Sequence, residues 1–319
     1  MRFSLSVLSL AIALAISNVS FAAPIYSQDF NVNDTANWTV NGSGVAGSDF
    51  VADFFYDYSA IGVPVAPNGT GTRGLKMTAN NSGGVFSGFT TSPTGQSFSG
   101  AYTVSFDMWQ NYAGPLGPGG NGTTQFSQYG IGSAGTSTQW IGSVSKDSVS
   151  FGTTLDGGSA TDYRAYSSAA NASYASGNAV YQAPAGAINN SNAYYAVYTA
   201  QPAPAAQVGL FAGQTGSTDP GETAFKWRRV TIDVSGGFAN WSIDGTPLAK
   251  VDLSTVTLGG GNILFGHSDT NSATSTDANR VALNVTIIDN ISVDAIPEPA
   301  TAALCLLGAL GFCGTRRRR

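Results

Sequence analysis

Between residues 25 and 293 this 319-residue chain nowhere sustains a helical period. Short runs rich in Val, Ile, Phe, Tyr, Trp and Thr alternate instead with Gly, Ser, Asn and Pro. Apolar residues at every second position, bounded by turn formers, mark half-buried strands. Glutamate, lysine and leucine, whose side chains favour helices, are scarce here. The runs predict strands over Ile25–Phe30, Val51–Tyr58, Leu75–Ala79, Tyr102–Asn111, Phe126–Ile131 and Gln139–Val144. Further strands are expected over Ala224–Val234, Phe238–Ile243, Asn262–His267 and Val281–Val293. Many short strands with turns between them point to an all-β, two-sheet β-sandwich of jelly-roll type.

Three strands are clear enough to assign faces. Tyr102, Val104, Phe106 and Met108 share one face, with Thr103, Ser105, Asp107 and Trp109 on the other. Val230, Ile232 and Val234 oppose Trp227, Arg229, Thr231 and Asp233. The next strand carries Trp241 and Ile243 and ends at Asp244-Gly245, a pair that tolerates the positive φ of a tight hairpin. In the long last strand Asp289 falls in phase with Val285, Ile287 and Ile291. Either a bulge shifts the register there, or a carboxylate is buried and must be hydrogen-bonded or metal-bound.

The two ends are of a different kind. Arg2, an apolar run from Leu5 to Ile16 and Ser20-Phe21-Ala22 read as a signal peptide over 1–22, cut before Ala23. At the other end, residues 296–319 place Pro297-Glu298-Pro299 before an apolar helix from Ala300 to Phe312, then Arg316, Arg317, Arg318 and Arg319. Four terminal cations hold such a segment with its end on the cytoplasmic side. Thirteen apolar residues reach only about 20 Å against a hydrocarbon core of roughly 30 Å, which suits a transient stop better than a lasting anchor. This order of parts resembles the PEP-CTERM sorting tail. The resemblance implies export, a transient transmembrane stop in the inner membrane, and handling by an exosortase-type membrane transpeptidase on the way to the cell surface or extracellular matrix.

The body, residues 23–295, is acidic. Nine Lys and Arg face eighteen Asp and Glu there, a net charge of −9, and Glu298 just beyond adds one more acid. Nucleic acid, whose phosphates need a basic footprint, is thereby excluded as a partner. Both cysteines, Cys305 and Cys313, lie in the tail, so the body has neither disulfides nor thiolate metal sites. Near 161–206 the strand pattern breaks into a Tyr-, Ala- and Ser-rich insertion with Tyr163, Tyr166, Tyr174, Tyr181, Tyr194, Tyr195 and Tyr198. It reads either as a binding loop or as an ordinarily packed one.

The run from Lys226 to Val234, the hairpin Trp241-Ser242-Ile243-Asp244-Gly245 and the closing Asp289-Asn290-Ile291-Ser292-Val293 resemble the concanavalin A-like, LamG-type jelly roll. That resemblance implies a domain that often binds glycan, sometimes with calcium, and in some branches hydrolyses it. The paired glutamates of the hydrolytic branches have no counterpart, because Glu222 is the sole glutamate before the tail motif. His267 is the single histidine, expected as a polar rim residue, and there is no nucleophile elbow, phosphate loop or dinucleotide fingerprint.

No catalytic constellation is therefore recognisable, and no cofactor is expected, with calcium as the open case. Asp269, Asn271 and Asp277 offer the hard oxygens calcium prefers, although polar turn chemistry accounts for them equally well. For glycan, Asp107, Trp109, Trp227 and Arg229 are expected on an outward face, where indole rings stack on sugars and polar neighbours bond the hydroxyls. The expectation is an exported protein binding extracellular polysaccharide. The alternatives are an adhesive matrix component without a pocket and an atypical polysaccharide hydrolase or lyase.

Overall fold

The computed structural model of the chain describes residues 23–43, 49–81, 88–114, 125–139, 146–156, 158–168, 172–269 and 277–297. In chain order the strands are β1 Tyr26–Gln28, β2 Trp38–Ser43, β3 Val51–Asp57, β4 Arg73–Thr78, β5 Gly88–Pro93, β6 Tyr102–Asn111 and β7 Gln125–Ser133. They continue with β8 Val149–Thr154, β9 Tyr163–Tyr166, β10 Arg228–Ser235, β11 Phe238–Ile243, β12 Thr246–Asp252, β13 Asn262–Asp269 and β14 Val285–Ala295. One sheet has the order β12-β11-β10-β6-β14-β4-β3, with β1 also paired to β14; the other runs β2-β5-β13-β7-β8-β9. Every pairing is antiparallel. The all-β two-sheet sandwich is therefore as expected.

The assigned faces hold. Val104, Phe106, Met108, Val230, Ile232, Trp241 and Ile243 all enter the main core, against Tyr129, Phe151 and Phe265 of the facing sheet. Asp244 and Gly245 both have positive φ, so β11 and β12 join through the tight hairpin the dipeptide calls for.

Strand limits differ in instructive ways. The predicted strand over Ala224–Val234 begins only at Arg228. The one predicted over Val281–Val293 begins at Val285, because Arg280–Leu283 closes a helical turn, α2. Gln139 is the single described residue of another predicted strand and is not in one; β8, ten residues later, takes that place. The tyrosine-rich stretch supplies core: Tyr163, Tyr181, Tyr195 and Tyr198 are buried, and the Tyr163 and Tyr195 rings stack at 3.9 Å.

A second apolar cluster covers the outward face of the first sheet. It joins Trp109, Trp227, Val285 and Ile287 to Tyr58, Ile61 and Val63 of the turn after β3. The helix α1, Ala205–Leu210, closes over that turn, with Gln207 Nε2 donating to Ile61 O at 2.9 Å and to Asn111 Oδ1 at 2.9 Å. No helix among the described residues is long and apolar enough to cross a membrane. The sorting motif beyond Pro297, with Glu298, Pro299 and the four terminal arginines, lies outside the described residues.

Candidate functional site

β14 carries the feature from which the site is built. It pairs with β6 along one side. Along the other it pairs with β4 through Thr286–Ile288 and with β1 through Ile291–Val293. At the handover the register with β6 shifts between Asp289 and Ser292, and Asn290 takes φ 51°. Both readings of Asp289 are thus met at once: there is a bulge, and the carboxyl is buried and hydrogen-bonded. The bulge turns Val285, Ile287 and Asp289 outward while Ile291 and Val293 enter the core.

Asp289 pairs across the sheet with Asp107 on β6, which is fully buried. Asp107 Oδ1 accepts from Arg229 Nη1 at 3.2 Å and from Asn68 Nδ2 at 2.7 Å. Its Oδ2 accepts from Asn290 Nδ2 at 2.9 Å and from Asn68 N at 3.2 Å. Arg229 also donates to Asn290 O at 3.1 Å and, through Nη2, to Ser105 Oγ at 2.6 Å. A buried carboxylate needs this degree of compensation, since an ionised group without partners is costly out of water.

Around this floor opens a cleft of about 380 Å³, walled by Ser27, Gln28, Asp29, Asn68, Arg229, Asn290 and Ser292. Nearly every wall residue is polar, and most sit on strands or are bonded to them. Arg229 remains one-third exposed (33%) and has five N–H donors, so part of its fork is left for a ligand. Gly69 makes the close approach feasible: a Cβ there would lie 2.4 Å from Asn290 Oδ1.

Beneath the cleft, the Tyr58 hydroxyl donates to Gly71 O at 2.9 Å, lies 3.1 Å from Asp289 Oδ2 and accepts from Ala66 N at 3.2 Å. Asp289 Oδ1 accepts from Asn290 N at 2.7 Å. Burial pushes the Asp289 carboxyl up to about 7, with the charges of Asp107 and Asp29 adding to the effect. Burial likewise raises the Tyr58 hydroxyl.

The residues expected at a glycan face are brought together only in part. Asp107 and Arg229 meet as an ion pair in the cleft. Trp109 and Trp227 do not provide an exposed platform, and that expectation is corrected. They are 2% and 8% exposed, pack edge to face at 5.7 Å and lie under the turn after β3. The Trp227 indole donates to Pro64 O at 2.7 Å, which satisfies its one polar atom inside the cluster. Strand parity gives the side of the sheet a residue faces, and it is blind to what covers that side.

Of the expected calcium ligands, Asp269 and Asp277 are described, and each is engaged within the protein. Asp269 Oδ2 accepts from Asn80 Nδ2 at 2.7 Å and Gln125 Nε2 at 3.1 Å inside the sandwich. Asp277 caps its own turn by accepting from Asn279 N at 2.7 Å, and Asn271 lies outside the described residues. Among the described residues no three His, Cys, Asp or Glu side chains come together to hold a metal. His267 is not a rim residue: it is buried between the sheets, where burial lowers its pKa to about 3.

Asn68, Asn290 and Ser27–Asp29 were not foreseen as site residues. The signal for Asn290 was available, because Asp289-Asn290 interrupts the apolar phase of a long strand. Asn68 is placed by a turn that no periodicity reports.

No family model matches this sequence, and no curated protein matches it. Among solved structures it is similar to a protein of unknown function with a galectin-like fold from Bacillus subtilis, at 11% identity and TM-score 0.41 over 86% of this chain and 96% of that one. It is also similar to the metal-free Emp46p carbohydrate recognition domain, at 10% identity and TM-score 0.43 over 85% and 97% of the two chains. A third is a prokaryotic β-1,3-1,4-glucanase (lichenase) derived from a mouse hindgut metagenome, at 10% identity and TM-score 0.41 over 85% and 99%.

Proposed function

We propose that the body, residues 23–295, is a glycan-binding sandwich that is exported and delivered to the cell surface or matrix through its terminal segments. The observation that carries the binding reading is the polar cleft at the β14 bulge. Guanidinium, carboxylate, side-chain amides and hydroxyls converge there on space for a small polyhydroxylated unit. Sugar hydroxyls both donate and accept, and a site holding both kinds of partner on fixed strands answers them at low ordering cost. The signal peptide over 1–22 and the tail over 296–319 support the delivery reading. In it an exosortase-type transpeptidase acts at Pro297-Glu298-Pro299 while the apolar run pauses in the inner membrane.

The binding test is affinity electrophoresis in gels containing the producing cell's own extracellular polysaccharide. Asn290→Gly removes one amide from the cleft, and with it one of four donors to Asp107, yet suits the positive φ at that position; retained folding is checked by circular dichroism. The expected result is retardation of the native chain that weakens at least fivefold in Asn290→Gly. Equal retardation of the two would remove the cleft as the binding site. For delivery, mass spectrometry of the mature protein should find a C terminus before Arg316. A mature chain that retains all four arginines is a permanent anchor instead.

A further inference from the structure

The geometry around Tyr58 sets two acceptors against one proton. A phenol has one proton to give and two lone pairs to accept with. Tyr58 Oη accepts from Ala66 N, stands 2.9 Å from Gly71 O and 3.1 Å from Asp289 Oδ2. The phenol is placed to donate to both Gly71 O and Asp289 Oδ2 but has one proton for the two; Gly71 O is the nearer and can only accept, so the shorter bond takes the phenol proton. The remaining contact would then set a carboxylate oxygen against a phenol oxygen unless Asp289 brings a proton of its own. Asp289 Oδ1 already accepts from Asn290 N, which leaves Oδ2 as the protonated atom, facing the phenol.

Resting on the cleft reading above, we propose that a neutral Asp289 donates to Tyr58 and thereby holds the 62–72 turn, with Asn68, against the cleft. Binding at the cleft is then proton-dependent: the wall is complete while Asp289 keeps its proton and loosens when the proton leaves.

The turn is wound around this phenol. Tyr58 N donates to Thr72 O at 2.9 Å, Val63 N to Tyr58 O at 3.2 Å, and Gly69 N to Ala66 O at 3.2 Å. Gly74 allows the ring to lie across the sheet, since a Cβ there would come within 3.3 Å of Tyr58 Cδ1. From this turn Asn68 reaches Asp107 with both its backbone and its side-chain nitrogen.

The charges facing Asp289 favour its neutral form. Asp107 faces it from β6 and Asp29 from the segment after β1, and both disfavour a second negative charge. Arg229 of β10 is bonded to Asp107, Asn290 O and Ser105. On β4 Gly74 carries no charge, Arg73 pairs with Asp57 at 3.9 Å, and Lys76 lies 4.4 Å over the Tyr56 ring. Burial acts in the same direction, so release of the proton falls near neutral pH.

The test compares amide hydrogen exchange of residues 62–72 in the full chain and in Asp289→Asn, as protection factors at pH 6 and pH 8.5. Asparagine keeps a donor toward Tyr58 and an acceptor toward Asn290 N, and it cannot ionise. Protection in the native chain is expected to fall at least tenfold between the two pH values and to stay constant in Asp289→Asn. A parallel fall in both, or no fall in the native chain, would overturn the proposal. Should Asp289→Asn not fold, the ¹³C shift of the native Asp289 carboxyl decides. A midpoint between pH 6 and 8 supports the proton, and a carboxyl already ionised at pH 5 refutes it. Neither measurement uses a glycan. Failed polysaccharide binding therefore strikes the functional reading alone, and a pH-indifferent turn strikes this inference alone.

Discussion

Glu222 shows how far one side chain's chemistry can be set by its surroundings. It is nearly buried, accepts from Asn190 Nδ2 at 3.2 Å and from Asp219 N at 3.0 Å, and has no ion-pair partner among the described residues. Burial pushes its carboxyl up to about 8, and Asp219, Asp156 and Asp162 add repulsion. Glu222 is therefore largely protonated at pH 7. Its folded pKa lies above the unfolded value of 4.5, so the stability tied to its proton is complete below pH 4.5 and is lost as pH rises through about 8. Glu222→Gln keeps the shape without the ionisation. The glutamine amide nitrogen cannot accept, so one of the two bonds is lost at every pH. Urea unfolding should find the stability of the variant relative to the native chain rising by about 1–3 kcal/mol from pH 5 to pH 9. A difference that does not change with pH would mean that the glutamate is solvated there.

At the scale of the strands, a hydrogen-bonded seam joins the two sheets. Thr223 Oγ1 donates to Gln110 Oε1. Gln110 Nε2 donates to Ser127 Oγ at 2.7 Å, and Ser127 Oγ meets Thr286 Oγ1 at 2.6 Å. Thr286 Oγ1 lies 2.8 Å from His267 Nδ1, and His267 Nε2 contacts Gln125 Oε1. Gln125 Nε2 then donates to Asp269 at 3.1 Å. The two amides fix the direction: Gln125 presents its oxygen to His267, so Nε2 carries the proton and Nδ1 accepts from Thr286. All donors then point toward the Asp269 carboxylate. His267→Ala would leave Gln125 Oε1 without a donor and the Thr286 hydroxyl proton without an acceptor, and would open a cavity. The expected loss is about 3 kcal/mol in urea unfolding. A loss below about 1 kcal/mol would show that the seam does not hold the sheets together. Nothing in the periodicity foretold this. His267 shares its phase with Ile263 and Phe265, which places it inward, yet a buried histidine requires partners, here Thr286 of β14 and Gln125 of β7, that no local pattern reveals.

At the scale of the molecule, what the sequence discloses is the set of facing residues. Alternation located Val104, Phe106, Val230 and Ile232 in the core, and Asp244-Gly245 its hairpin. Strands made of small and polar residues, such as β5 and β8, went unseen because both their faces are buried and no alternation survives. The cleft was legible at Asp107 and Arg229 and, through the broken apolar phase, at Asn290; its other walls come from the short edge of β1 and from a turn. The same burial that hides these parts sets the response of the whole fold to pH. Asp156 is pushed up to about 6, Asp289 to about 7 and Glu222 to about 8, each chiefly by burial. Each contributes stability that is present below its unfolded value and is lost as pH rises through its folded one. His267 works in the opposite direction. Lowered from 6.5 to about 3, it contributes stability above pH 6.5 that is lost as pH falls toward 3. The carboxyls are several and the histidine is single, and the body's net negative charge adds repulsion at high pH. Thermal unfolding from pH 4 to 9 should therefore give the highest Tm at the acid end, near pH 4 to 5, with a fall of several degrees by pH 9. A Tm that climbs steadily from pH 5 to 8 would mean that these carboxyls are ionised in the folded chain and that its interior is wetter than its packing implies.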